Sequence, residues 1–234
     1  MTERRKRIAL YGGTFDPVHV GHMAVASGLI ESFDLDEVLF IPAHVAPHKR
    51  DSMVSPPLHR YAMLALATED EDAMRISTVE LEAPERPYTF ETVALFQHKL
   101  GEQAQLFFVM GADSWSEITT WREWERLLLM TDHLIVARPG YDLRDDGLPP
   151  LIRERIVDLR GIEKKEILAR LAELDGTHLL VTDAVFMNVS ATAIRESISV
   201  GNDSKWLPLV LPRVADYITK YGLYKTVYET EPNR

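Results

Sequence analysis

Two histidines spaced three apart follow a run of small residues in Tyr11-Gly12-Gly13-Thr14-Phe15-Asp16-Pro17-Val18-His19-Val20-Gly21-His22. That combination suits the holding and reaction of phosphate. Bare backbone at Gly12 and Gly13 lets a phosphate oxygen approach closely. With a helix beginning near Val20, its free N–H groups and positive dipole end face whatever occupies the turn, and an anion is favoured there. His19 and His22 then share one face of the first helical turn. Beside a polyphosphate, both imidazoles are drawn toward the protonated form, and as donors they stabilise charge that grows during phosphoryl chemistry.

Other groups extend this chemistry. Lys49 ends the segment Ile41-Pro42-Ala43-His44-Val45-Ala46-Pro47-His48-Lys49, whose prolines hold a loop open and whose lysine supplies a mobile point charge for phosphate. Asp113 follows an apolar run, where a carboxylate can accept hydrogen bonds from ribose hydroxyls or cap a helix. Ser190 reads first as a helix cap; Arg195, three beyond Thr192, adds a guanidinium to two hydroxyls and makes a second phosphate clamp. Thr89 is placed to cap a helix running to Leu100. Ser114 lacks the flanking glycines of a nucleophile elbow and is no candidate nucleophile. Trp115, Trp121 and Trp124 make an aromatic cluster, and packing is the usual role of buried indoles.

The elements that must position these groups alternate along the chain. Strands are expected at 8–11, 37–41, 75–81, 106–110, 133–137 and 178–182, with helical patterns between most of them. The expected fold is α/β, a Rossmann-like doubly wound parallel sheet with helices on both faces, and its ligands gather beyond the carboxyl ends of the strands. Residues 58–67 form an amphipathic helix whose Met and Leu stripe is core, without a chemical role. Residues 141–176 read as a charged peripheral helix pair, solvated or available for contact with a second subunit.

Composition sets the outer limits. At 234 residues and 46% hydrophobic content the chain can bury an ordinary core as one domain. A net charge of −10 argues against a general nucleic-acid binder, which needs a basic footprint. Anionic nucleotides still fit when a few cations share one cleft and a divalent metal accompanies the phosphates. No apolar stretch reads as a membrane span or secretory signal, so a cytoplasmic location is expected. With no cysteine, thiolate nucleophiles and cysteine-ligated metals are excluded.

The string from Tyr11 to His22 resembles the nucleotidyltransferase signature, and the remaining motifs resemble bacterial nicotinate mononucleotide adenylyltransferases over nearly the whole chain. Pro47-His48-Lys49 is similar to a Pro-Pro-His-Lys element, with Ala46 in place of the first proline. Tyr88 and Thr89 match a Ser-Tyr-Thr segment that lines the mononucleotide pocket, with Pro87 for the serine. Gly111-Ala112-Asp113 resembles a ribose-contacting element, and Arg138-Pro139-Gly140 a turn beside adenine. Asn188 to Glu196 resembles the Ile-Ser-Ser-Thr-x-Ile-Arg phosphate signature, with Ala191 for the second serine. Gly222-Leu223-Tyr224 is similar to the family's chain ending.

The resemblance implies transfer of AMP from ATP to nicotinate mononucleotide, giving deamido-NAD and pyrophosphate. It implies catalytic roles for His19, His22, Lys49 and Arg195. ATP would be bound by Gly12, Gly13, Thr14, Phe15, Asp113, Arg138, Ser190 and Thr192, and nicotinate mononucleotide by Tyr88, Thr89 and Trp121. Trp121 matches the tryptophan that stacks on the pyridine, and an indole face attracts a planar pyridinium by ~1 kcal/mol or more when desolvated. Mg²⁺ is expected to arrive on the ATP phosphates, with no metal site built by the protein itself. Rival readings are transfer to nicotinamide mononucleotide or phosphopantetheine, cytidylyl transfer, a non-catalytic nucleotide sensor, and a metal hydrolase using His19, His22, His44 and His48. The last lacks the accompanying glutamate pattern of a zincin. Oligomeric state is left open.

Overall fold

The computed structural model describes residues 4–44, 54–137, 145, 147–183, 187 and 189–225. Seven parallel strands form its sheet: β1 (Lys6–Gly13), β2 (Glu37–Pro42), β3 (Met74–Ile76), β4 (Ala104–Gly111), β5 (Asp132–Val136), β6 (Ile156–Asp158) and β7 (Leu179–Thr182), in the order β3-β2-β1-β4-β5-β7-β6. The helices are α1 (Val20–Phe33), α2 (Pro57–Ala67), α3 (Thr89–Leu100), α4 (Ala112–Ser116), α5 (Trp124–Met130), α6 (Pro150–Arg153), α7 (Lys164–Glu173), α8 (Ala191–Ser199), α9 (Asp203–Trp206) and α10 (Pro212–Tyr221). The chain winds one way through β1, β2 and β3 and the other way from β4 onward. The strand order therefore reverses between the neighbours β1 and β4, which opens a crevice at their carboxyl ends.

The period-2 alternation of side chains divides the apolar residues between two cores. Ala9 on β1 with Phe107 and Val109 on β4 packs beneath Ala26, Leu29 and Phe33 of α1, Met63 and Leu64 of α2, Ile194 of α8 and Val214 and Ile218 of α10. Ile8 and Leu10 with Leu106, Phe108 and Met110 face the other way, onto Val93 and Phe96 of α3, Trp115 of α4 and Leu127 and Leu128 of α5. Both central strands are covered on two faces, as near-continuous apolar runs require. The expected α/β doubly wound fold is what forms.

Two sequence expectations need correction. The strand expected over 75–81 stops at Ile76, because the next residues satisfy the backbone locally. Ser77 Oγ accepts the Val79 N–H at 3.3 Å, and the Glu82 N–H donates to the Thr78 carbonyl at 2.9 Å. The Ser77 side-chain bond competes with a strand ladder, and the main-chain bond from Glu82 to Thr78 turns the segment. The segment expected as a peripheral helix pair also contains β6, an edge strand on β7. Its helix α7 buries Ile167 in the same core as α1. Only three residues of β6 pair, and charges flank them, so the period-2 signal was too short to read.

Candidate active site

The β1–α1 turn is built by its own side chains. His19 is the N-cap of α1 in extended conformation, and the cap is reciprocal: the His22 N–H donates to His19 Nδ1 at 3.4 Å and the His19 N–H to His22 Nδ1 at 3.3 Å. The rings stack at 3.6 Å between centroids, 19° from parallel. With each Nδ1 accepting, the proton of each neutral ring sits on Nε2. Gly21 is small because a Cβ there would stand 3.0 Å from His19 Nδ1 and 3.3 Å from Val189 Cβ. Burial holds His19 down to about 4 against its own backbone hydrogen bond, and burial with the neighbouring His19 holds His22 well below the usual imidazole range. In the structure as it stands, both rings are neutral Nε2–H donors; the protonated pair expected from the sequence needs the polyphosphate to be present.

The Phe15 side chain belongs to the core. It is 2% exposed, has φ of 50°, and packs edge-on against Tyr11, Phe40 and His22. Its ring lies 2.9 Å from where a Cβ of Gly13 would be, so that glycine answers to Phe15 as well as to any ligand. Only the backbone of Phe15 remains to meet a nucleotide.

A cleft of about 770 Å³ opens at the strand ends. One wall carries Gly12, Gly13, Thr14 and His22 from the turn; the other carries Tyr88, Thr89 and Trp121, and the floor includes Phe108 and Gly111 at the end of β4. Thr89 is the first residue of α3, and its N-cap is Tyr88, whose N–H donates to Glu91 at 2.8 Å; the expected cap at Thr89 is therefore displaced by one residue. The Arg122 guanidinium lies 5.1 Å over the Tyr88 ring and also lines the cleft. Glu80, brought in by the turn after β3, accepts from Thr92 Oγ1 at 2.7 Å and from the His44 N–H at 3.4 Å, and burial raises its carboxyl against those bonds. Trp115 is buried packing, as expected.

The second phosphate motif abuts the first from another side. Ser190 caps α8, accepting the Ala193 N–H at 3.4 Å. Arg195 donates through Nη1 to the Asp16 carbonyl at 2.7 Å and through Nη2 to Thr192 Oγ1 at 3.3 Å, while its buried Nε has no partner among the described residues. Residues 179 apart in sequence thus meet at the turn. None of Ser190, Thr192 and Arg195 lines the cleft wall itself. Asp113 is exposed in the first turn of α4, whose N-cap is Gly111, so the capping alternative does not hold. Lys49, His48 and Arg138 lie outside the described residues.

Arg60 was missed. It sits on α2, 0% exposed, and donates from Nε to the Ser55 carbonyl at 3.2 Å and from Nη1 to the Thr14 carbonyl at 2.9 Å. An arginine amid Met and Leu at core spacing was the available signal, because a charge on the apolar face of a helix needs a partner.

Among the described residues, no three His, Cys, Asp or Glu stand together as a metal site. Asp16 is 1% exposed with both carboxylate oxygens engaged, by the Ser55 N–H at 2.9 Å and the Tyr224 hydroxyl at 2.6 Å. Among the described residues, Glu80 is the carboxylate that lines the cleft.

A cytidylyltransferase-like family model matches residues 10–197. A probable nicotinate-nucleotide adenylyltransferase of Thermoanaerobacter sp. is 35% identical over 95% of this chain and 96% of its own length. One from Symbiobacterium thermophilum is 36% identical over 93% and 95%. Among solved structures, the nicotinic acid mononucleotide adenylyltransferase of Plasmodium falciparum in complex with NaAD covers 94% of this chain and 97% of its own, with a TM-score of 0.68 at 20% identity, which is a likeness of fold.

Proposed function

This chain belongs to the nicotinate-nucleotide adenylyltransferases of the cytidylyltransferase-like family, and we propose that its cleft joins ATP to nicotinate mononucleotide in NAD biosynthesis. The observation that carries the reading is one cavity with a phosphate turn on one wall and Tyr88, Thr89 and Trp121 on the other. The mononucleotide phosphate is already anionic, so it attacks the α-phosphorus of ATP without a general base. A new P–O bond forms, the α–β bridging bond breaks, and pyrophosphate leaves with the electron pair. Rate then comes from alignment and from donors aimed at growing charge.

In this scheme His22 Nε2–H faces the reacting phosphates from the cleft wall, and His19 sets its orientation through the shared cap. Thr14, Gly12, Gly13 and the Phe15 N–H cradle the triphosphate. Arg195, with Ser190 and Thr192, and Lys49 add the cationic side, Asp113 takes the ribose and Arg138 the adenine end. Trp121 stacks on the pyridine with Tyr88 and Thr89 beside it. Mg²⁺ enters as part of the nucleotide substrate; no protein ligand is assigned to it. The whole chain acts as one transferase domain. No helix among the described residues is long and apolar enough to cross a membrane, in keeping with a cytoplasmic enzyme. A homo-oligomer is compatible with the reading.

The test offers MgATP with nicotinate mononucleotide, nicotinamide mononucleotide and phosphopantetheine in parallel, following pyrophosphate and dinucleotide. The expected result is fastest turnover with the nicotinate substrate. Robust reaction with phosphopantetheine alone contradicts the proposal, and binding of ATP without pyrophosphate release marks a sensor.

A further inference from the structure

Three distant parts of the chain grip two residues of the phosphate turn, Thr14 and Asp16, on either side of Phe15. Arg60 of α2 holds the Thr14 carbonyl at 2.9 Å, Arg195 of α8 holds the Asp16 carbonyl at 2.7 Å, and Tyr224, three residues past the end of α10, holds the Asp16 carboxylate at 2.6 Å. Ser55, just before α2, closes the ring: its N–H donates to Asp16 and its carbonyl accepts from Arg60. Between the gripped residues stands Phe15 at φ 50°, a left-handed conformation that a bulky residue adopts only when its surroundings impose it. Arg60 is wholly buried and its Nη2 has no partner among the described residues, so its charge is kept there at a desolvation cost.

Geometry gives that cost a use. Across a trans peptide the C=O and the following N–H point in opposite directions. With the Thr14 carbonyl turned to Arg60, the Phe15 N–H points away from Arg60, and Thr14 itself lines the cleft. It has no partner among the described residues. A left-handed residue following a strand end makes a concave run of amides suited to an anion.

We propose that Arg60 is a positioning residue for adenylyl transfer, which aims the Phe15 N–H at an ATP phosphate by holding the Thr14 carbonyl from beneath, with Tyr224 locking Asp16 beside it. This rests on the reading above that the turn receives ATP. Arg60 touches neither substrate, and its charge alone does not suffice: the two carbonyls it serves, Thr14 and Ser55, need the spread guanidinium fork, which an ammonium lacks.

The experiment measures KM for ATP, KM for nicotinate mononucleotide, kcat and thermal midpoint for wild type, Arg60→Lys, Tyr224→Phe and Tyr217→Phe. Tyr217→Phe is the control, since it removes a terminal-region hydroxyl bonded to His59 at 2.9 Å rather than to the turn. Arg60→Lys is expected to raise KM for ATP and lower kcat, with kcat/KM for ATP falling about tenfold to a hundredfold and KM for nicotinate mononucleotide kept within about twofold. Tyr224→Phe, which deletes one hydroxyl and keeps the ring, is expected to show the same split at about a third of the logarithmic effect, and Tyr217→Phe none. Equal losses for both substrates, or unchanged ATP kinetics in a folded Tyr224→Phe protein, overturn the inference while a working wild type leaves the transferase assignment standing. A wild type that makes no dinucleotide removes both.

Discussion

The two walls of the cleft are made differently. The turn between β1 and α1 is fixed from below by a reciprocal histidine cap, a core-bound Phe15 and bonds to Arg60, Arg195 and Tyr224. The opposite wall rests on the first residue of α3, on Trp121 after a 3-10 turn and on Tyr88, which is 49% exposed. One wall is held by several long-range hydrogen bonds, and the other by local caps and turns with the Arg122 guanidinium over the Tyr88 ring. Phosphate chemistry needs donors placed to a fraction of an ångström before the substrate arrives, whereas a stacked ring tolerates sliding along an indole face. On the proposed function, the difference in construction follows the difference in task.

Substitutions on the two walls should therefore fail in different ways. The largest effect is expected from His22→Ala, which removes the Nε2–H donor and half of the cap. We expect kcat to fall by about 10²–10³-fold with KM for nicotinate mononucleotide little changed, read by steady-state pyrophosphate release. Wild-type turnover in a folded His22→Ala protein removes the charge-stabilising role. Trp121→Ala comes next, raising KM for nicotinate mononucleotide about tenfold with KM for ATP unchanged. A rise in the ATP constant instead would put the pyridine on the other wall.

Gly13→Ala acts on stability before kinetics. The new Cβ meets the Phe15 ring at 2.9 Å, and that ring is buried in the core, so it must shift to make room. A loss of about 1–3 kcal/mol is expected, seen as a lower denaturation midpoint; an unchanged midpoint means that the turn is softer than described.

The smallest effect is one of pH. Burial holds His19 and His133 down to about 4, so in the free protein their imidazoles should titrate near that value by NMR rather than near 6.5. Unfolded chain binds these protons first, and the two sites therefore withdraw stability as pH falls from about 6.5 toward 4. Glu80 and Asp132, raised by burial, act in the opposite sense over the acid end of that range. ATP binding should move the His19 midpoint upward while His133, 0% exposed and not among the residues that line the cleft, stays in place. Equal movement of both sites would deny that the phosphates sit at the turn.

Much of this was legible from the chain alone. Five of the seven strands stand where apolar runs predicted them, because central parallel strands are buried on both faces and read as continuous hydrophobic stretches, and the edge strand β3 keeps only the start of its expected range. The turn and the Arg195 motif stood out in the sequence as candidates for phosphate chemistry, since glycines, histidines and a guanidinium at short spacing have few other combined uses. Their meeting across 179 residues was not, because tertiary contact leaves no local trace. Arg60 was passed over for a related reason: its helix was read by its apolar stripe, and the carbonyl it serves lies 46 residues away. The histidine cap left no sequence signal because imidazole is an uncommon capping group, and the core position of the Phe15 side chain shows only in the fold.

The most direct test is a crystal structure of this protein with deamido-NAD bound. The account predicts the bridging phosphates over Gly12 to Phe15 within hydrogen-bond reach of His22 Nε2, and the pyridine ring stacked on Trp121. Phosphates lying away from that turn, or a pyridine with no contact to Trp121, would contradict it.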